Sequence, residues 1–253
     1  MTTHVTPAIV LGTIHYGETS RIARLATRDL GVQSAIAKGA MRPRSRFGAA
    51  LHLLSEGQAH IIFARRSDLH TLAAFDLTRV RVDLAARMDR FAAASLLAEV
   101  MLRSAPATGH PASFDLLRDA LDTLEVAPGV AVEPLALRLV WQLVSVLGFA
   151  PALEHCARDG AALPDGRPTV FSAADGGFLC GRCGGGHEGA RLGPADRDAL
   201  LAFATPGAEL PALDDPHLAA HRRLLARYVR YHLGEGAALP ALDFWEHRPW
   251  VPA

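Results

Sequence analysis

The hydrophobic period changes near residue 80, and that change sets what this chain can fold into. Before it, apolar and polar residues alternate in short runs. Residues 21–27 (RIARLAT) put Ile22, Arg24 and Ala26 on one face and Ala23, Leu25 and Thr27 on the other, the period of two that marks a strand. Residues 8–16, 31–37, 58–64 and 69–77 read as further strands, with turn signals at Asp29-Leu30-Gly31 and across residues 65–68. Short strands so closely spaced predict a small β-barrel or sandwich. After residue 80 the period lengthens. Leu84, Met88, Phe91, Leu96 and Val100 recur every three to five residues, which predicts a helix over 83–105. Ser113 is placed to cap a second helix over 114–126, and Pro134 to open a third over 135–147, stopped by Gly148. Pro194 opens a fourth to 203, and Asp215-Pro216 a fifth to 233 before Gly234. The reading is therefore α+β: a barrel domain over 1–80, then a helical domain over 81–253. Within the latter, residues 149–193 form a glycine-rich, loop-like insert holding all three cysteines.

Half of the 253 residues are apolar, enough for a substantial core, which excludes the disordered class. No apolar run is read as long enough to span a bilayer, no signal segment opens the chain, and the expected location is cytoplasmic. Lys+Arg and Asp+Glu balance at 26 each, yet residues 1–80 hold ten cations against five acids. Such asymmetry points to a polyanion-binding module. It concentrates in the loop 37–51, AKGAMRPRSRFGAAL, where Lys38, Arg42, Arg44 and Arg46 stand without an acid and Gly39, Pro43 and Gly48 interrupt regular structure. Arg and Lys meet phosphates with release of counterions, and Arg also stacks on unpaired bases. Arg65 and Arg66, on a predicted hairpin turn, are placed to extend the patch. Phe47 reads equally as a stacking platform or as a core anchor. Arg223, Arg227 and Arg230 stack along the last helix as a second contact or a solvated face. Trp141, Trp245 and Trp250 are pocket candidates, with the core the better reading for Trp141.

Cys180-Gly-Arg-Cys183 is a C-x-x-C knuckle, with Cys156 upstream in EHCARDG. Two thiolates on one tight turn can face one zinc ion in a closed structural site; three cysteines do not make a disulfide framework. His155 and His187 compete as a further ligand. HEGAR at 187–191 lacks the second histidine of H-E-x-x-H, Gly184–Gly186 is followed by no Gly-Lys-Ser/Thr, and no nucleophile elbow is present. The expectation is a protein that is not an enzyme.

The stretch YGETSRIARLATRDLGVQSAIAKGAMRPRSRFGAAL resembles the N-terminal OB-fold of the RecO family of bacterial recombination mediators. The likeness rests on Tyr16, Glu18 and Thr19-Ser20; on Leu25-Ala26-Thr27 with Gly31; and on Lys38-Gly39, Arg42, Arg44, Ser45, Arg46 and Gly48, with Met41 displacing Arg42 by one place. The order of strands, helices and a cysteine insert extends it over nearly the whole chain. The resemblance implies an OB-fold barrel followed by a helical domain with a zinc-knuckle-like insert. It implies binding of single- and double-stranded DNA, annealing of complementary strands, and help in loading RecA onto DNA coated by single-strand DNA-binding protein, with RecR as partner and a nucleoid-associated location. It also sets Asp159 where relatives carry a second upstream cysteine, so the fourth ligand is Asp159 by position or His187 by chemistry. The alternative is an OB-fold protein that binds RNA or an oligosaccharide.

Overall fold

A computed structural model describes residues 3–251 apart from positions 49, 165, 187, 235 and 237. The chain divides at Val126/Ala127 into two compact units. In the first, β1 (Thr3–Tyr16), β2 (Ser20–Thr27), β3 (Gly31–Ala37), β4 (Glu56–Ile62) and β5 (Leu69–Arg79) close into a barrel of order β1-β2-β3-β5-β4. The sequence left barrel and sandwich open; the five-stranded OB-like barrel is what forms. β3 and β5 run parallel, and the other pairs are antiparallel. β1 begins at Thr3 rather than at Ala8, because its polar first residues pair with β4 while its second half pairs with β2. The strand changes partners at a bulge between Val10 and Gly12, where a residue without Cβ lets it bend. Ala8, Val10, Ala23, Leu25, Ala35, Ala37, Ala59, Ile61, Leu72 and Phe75 fill the interior, and closure leaves no open edge for another chain to pair with.

Three helices complete this unit: α1 (Val82–Ala85), α2 (Met88–Ser104) and α3 (Pro111–Val126). The single helix expected over 83–105 is broken at Arg87, which is extended. α3 starts before Ser113, and the expected cap is provided instead by His110, whose Nδ1 accepts the Ser113 N–H at 3.3 Å. Buried Arg81 donates to Asp122 (2.8 Å), to Glu56 (2.6 Å) and to the Leu54 carbonyl (3.3 Å), latching the end of the barrel to α3. At the start of β3, Val32 N–H bonds to the Pro106 carbonyl, and a Cβ on Gly31 would lie 2.3 Å from that oxygen.

The second unit is built on α4 (Gly129–Val144), which starts six residues before the expected 135. Pro134 therefore lies inside the helix. The carbonyl it leaves unbonded belongs to Val130, 92% exposed, where water can take it. Gly148, at φ 94°, ends the helical run. Residues Gly129–Phe149 reach the length and composition of a membrane span, with mean hydropathy 1.6, which corrects the expectation that no run would. Val132, Leu137, Val140, Trp141 and Val144 of this stretch are buried in the unit's core. The loop-like insert carries regular structure: β6 (Thr169–Ser172), β7 (Gly177–Leu179) and β8 (Ala190–Leu192) form a sheet of order β7-β6-β8, with a single turn α5 (Gly181–Gly184). Strands of three and four residues among glycines offer too few alternations to be read. α6 (Pro194–Ala204), α7 (Asp215–Leu233) and the unexpected α8 (Pro240–His247) follow. Phe171 of the sheet packs with Trp141 and Tyr228, and Phe178 packs on Phe171, joining insert to helices.

Candidate nucleic-acid interface and metal centre

β3 runs out of the barrel at Ala37, opposite Arg21 of β2, and the basic loop begins there. It is not slack. Ala40 N–H bonds to the Ala37 carbonyl, Met41 N–H to Thr19 (2.9 Å), Arg42 N–H to Gly39 and Ser45 N–H to Arg42. Gly39 holds φ 70°, a conformation that favours glycine. The far end of the loop is plugged into the barrel: Phe47 is 1% exposed and sits in the core beside Leu51. Phe47 is thus the core anchor, and its ring is closed to bases. Arg46 lies over that ring, 5.2 Å from its centroid.

Anchored this way, Lys38, Arg42, Arg44 and Arg46 stand exposed, and none has an acidic partner within 4.0 Å among the described residues. Other arginines of this unit differ. Arg28 pairs with Asp115, Arg79 with Asp122 and Glu125, Arg81 with Glu56 and Asp122, Arg87 with Asp89, and Arg118 with Asp115 and Asp119. The hydrogen bond to Asp115 raises Arg28 further above its ordinary range. The charge excess of the first eighty residues is therefore sorted, with the loop cations uncompensated. Lys38 and Arg42 border a depression of about 330 Å³ with Tyr16, Thr19, Ser20, Ile36 and Gly39. Arg65 and Arg66 are exposed on the turn between β4 and β5. That turn is held by Ala64 N–H donating to His70 Nδ1 at 3.3 Å. Sequence reasoning passed over Arg21 and Arg24 on β2, whose Nε atoms are buried without a partner among the described residues. Arg24 faces Gly12 and Ser34 across the ladder, and the alternation of RIARLAT already held that signal.

In the second unit the expected cysteines converge. Sγ of Cys156, Cys180 and Cys183 and a carboxylate oxygen of Asp159 lie within 4.8 Å of one another. Ala157 N–H bonds to the Phe178 carbonyl at 2.7 Å, drawing the upstream segment onto β7, and Gly160 N–H closes a turn on Cys156. The Cys183 and Arg182 backbone N–H groups favour the Cys180 thiolate and push its pKa down against desolvation. Arg182 donates to Asp159 at 2.7 Å and holds that carboxyl well below the usual carboxylate range. Asp159 Oδ2 accepts from Cys183 at 3.1 Å and, with burial, pushes that thiol up to about 12. Tetrahedral zinc, bonded at about 2.3 Å to sulfur, spaces its sulfurs by about 3.8 Å, so the four donors need only a small contraction to hold an ion. His155 is exposed and outside this cluster, lining a separate surface pocket with Leu201 and Ala204; it is no ligand here. His187 lies outside the described residues.

The stripe on α7 is thinner than expected. Arg230 is bound to Asp243 and Glu246 of α8, leaving Arg223 and Arg227 exposed. Trp141 and Trp245 are buried, so they line no open pocket.

The family model described as Recombination protein O N terminal matches residues 1–81, and that described as Recombination protein O C terminal matches 85–239. A Rubrobacter xylanophilus protein named DNA repair protein RecO is 38% identical over 176 residues, 69% of each chain. Two others of that name come from Nocardioides sp., 32% identical over 90% of this chain and 94% of its own, and from Anaeromyxobacter dehalogenans, 33% identical over 91% of each.

Proposed function

The chain belongs to the RecO family of DNA repair proteins, and on that premise we propose that it binds single- and double-stranded DNA and anneals complementary strands. Together with RecR it helps to load RecA onto single-stranded DNA coated by single-strand DNA-binding protein. Residues 1–80 serve as the DNA-binding module and 81–253 as the helical module, in a cytoplasmic, nucleoid-associated protein. The observation that carries the reading is the set of cations Lys38, Arg42, Arg44 and Arg46, fastened in place and free of acids while neighbouring arginines are paired. Arg65 and Arg66 extend it.

Annealing needs no covalent step. Two strands repel because both are polyanions; a surface that holds them side by side and displaces counterions lowers that repulsion. Contacts to phosphates carry no sequence information, so strands can slide until the bases are in register. The cysteine cluster takes a structural role: Cys156, Cys180, Cys183 and Asp159 hold zinc, which ties the upstream turn to β7 and α5.

The test is acceleration of annealing between two complementary oligonucleotides over a salt series. Wild type speeds the reaction at low salt, and the Lys38/Arg42/Arg44/Arg46→Ala variant does not. No acceleration by wild type overturns the reading, and tighter binding of RNA than of single-stranded DNA in competition would turn it toward an RNA-binding protein.

A further inference from the structure

β2 turns Ala23 and Leu25 into the barrel, so Ile22 and Arg24 stand on its outer face. Residues directly across a ladder share a face. Gly12, Ile14 and Tyr16 of β1, opposite Arg24, Ile22 and Ser20, therefore belong to the same outer surface. So do Ser34 and Ile36 of β3, opposite Arg24 and Ile22. Ile14 is 56% exposed and Tyr16 48%, while Ile22 and Ile36 are half-buried in the same strip. Nothing stands within 4 Å of a Cβ built on Gly12, so the strip is open there. Arg24 Nε is buried without a partner, and Arg24 has no ion pair among the described residues.

The strip ends in the depression of about 330 Å³ beside the basic loop. Tyr16 and Ile36 give it an apolar wall, Lys38 and Arg42 a cationic rim, and no acid lines it. Backbone groups hold that rim: Met41 N–H donates to the Thr19 carbonyl at 2.9 Å and Gly39 N–H to Ser20 Oγ at 3.4 Å. Arg42 lies back over Gly39, its Cδ 3.4 Å from where a Cβ there would stand. An aromatic ring beside two cations suits a flat base joined to phosphates. A duplex keeps its bases stacked inside, out of reach of Tyr16; a single strand offers them. Resting on the DNA-binding reading above, we propose that this depression is a pocket for an unpaired base of single-stranded DNA. The base stacks on Tyr16 against Ile36, Lys38 and Arg42 take the flanking phosphates, and Arg24 meets the strand as it continues over Gly12. The aromatic platform is thus Tyr16, since Phe47 is plugged into the core. The pocket supplies a preference for single strands that phosphate contacts alone do not carry.

The experiment measures fluorescence anisotropy of the full chain with two labelled strands of equal length, one intact and one built of abasic sites. The two present the same phosphates, so only the intact strand can stack. Wild type binds the intact strand about tenfold more tightly. Tyr16→Ala, a change at a half-exposed site, removes that advantage, and Tyr16→Phe, which keeps the ring, retains it. Arg24→Ala weakens binding of both strands. Equal affinity of wild type for the two strands overturns the proposal and leaves the basic loop as the DNA contact. A preference that survives Tyr16→Ala overturns it as well. Binding of neither strand overturns it together with the DNA-binding reading.

Discussion

Replacing Lys38, Arg42, Arg44 and Arg46 together by alanine should flatten the salt dependence of DNA binding by a calculable amount. Each phosphate neutralised on single-stranded DNA contributes about −0.7 to the slope of log K against log salt. Because all four side chains are exposed and lack an acid among the described residues, each is available to a phosphate, and the full set accounts for a slope of about −2.8. Over a fourfold rise in salt, from about 50 to 200 mM, that amounts to about a fiftyfold loss of affinity in wild type, absent from the variant. Arg118→Ala is the matched control. Its guanidinium is already held by Asp115 and Asp119, so its removal should leave the slope nearly unchanged. Fluorescence anisotropy of a labelled oligonucleotide gives both slopes. The four side chains are exposed and only Arg46 touches a buried one, lying over the Phe47 ring, so the variant should lose no more than about 1 kcal/mol of stability. A slope unaltered by the quadruple substitution, or lowered equally by Arg118→Ala, would refute the argument that uncompensated cations make the binding surface.

Phe47→Ala should destabilise the first unit by about 3–5 kcal/mol in urea unfolding, whereas Phe47→Leu should keep most of the affinity for DNA; a Leu variant that folds but loses binding would restore a stacking role. Arg81→Ala leaves the Glu56 and Asp122 carboxylates without their buried guanidinium and should cost on the order of 3 kcal/mol by the same measurement. Zinc uptake should tighten as pH rises between about 6 and 8, since the thiol of Cys183, pushed up to about 12 beside Asp159, must shed its proton to bind. The expected gain is about tenfold per pH unit for each proton displaced, and a pH-independent affinity by competitive chelation would refute ligation through that thiol.

How much of this was readable in advance depends on the range of the interaction that decides each feature. Strand alternation and turn residues are local, so four of the five barrel strands appear within a residue or two of their expected limits. The start of β1 is not local: Thr3–Thr6 carry no apolar alternation and become strand because β4 lies beside them. Pro134 looks like a helix opener, yet the apolar face of α4 is worth more when buried than one backbone hydrogen bond, and the helix runs through it. The insert's sheet exists because Phe171, backed by Phe178, finds Trp141 and Tyr228, partners in other segments of the second unit. The cysteines were legible as a group because the C-x-x-C spacing is local. That Asp159 joins them depends on the turn at Gly160, which closes between two short stretches. The neutral fate of Arg230 rests on α8, which had not been foreseen at all.

Net charge hides the feature that matters most. With 26 charges of each sign, an average over the chain predicts indifference to a polyanion. Binding depends instead on which cations still have charge to spend once folding has matched them with acids. In the first unit the acids of α3 and of the first turn of α2 are matched with Arg28, Arg79, Arg81, Arg87 and Arg118, and the loop after β3 is left outside every such pair among the described residues. That separation also protects the fold from its own function. Neutralising the loop cations by DNA disturbs no ion pair on which the barrel relies, so DNA can come and go without a cost in stability. A charge-swapped loop, Lys38/Arg42/Arg44/Arg46→Glu, should accordingly abolish DNA retention at low salt yet unfold at nearly the wild-type urea concentration; a large fall in that midpoint would show the loop charges to be structural after all.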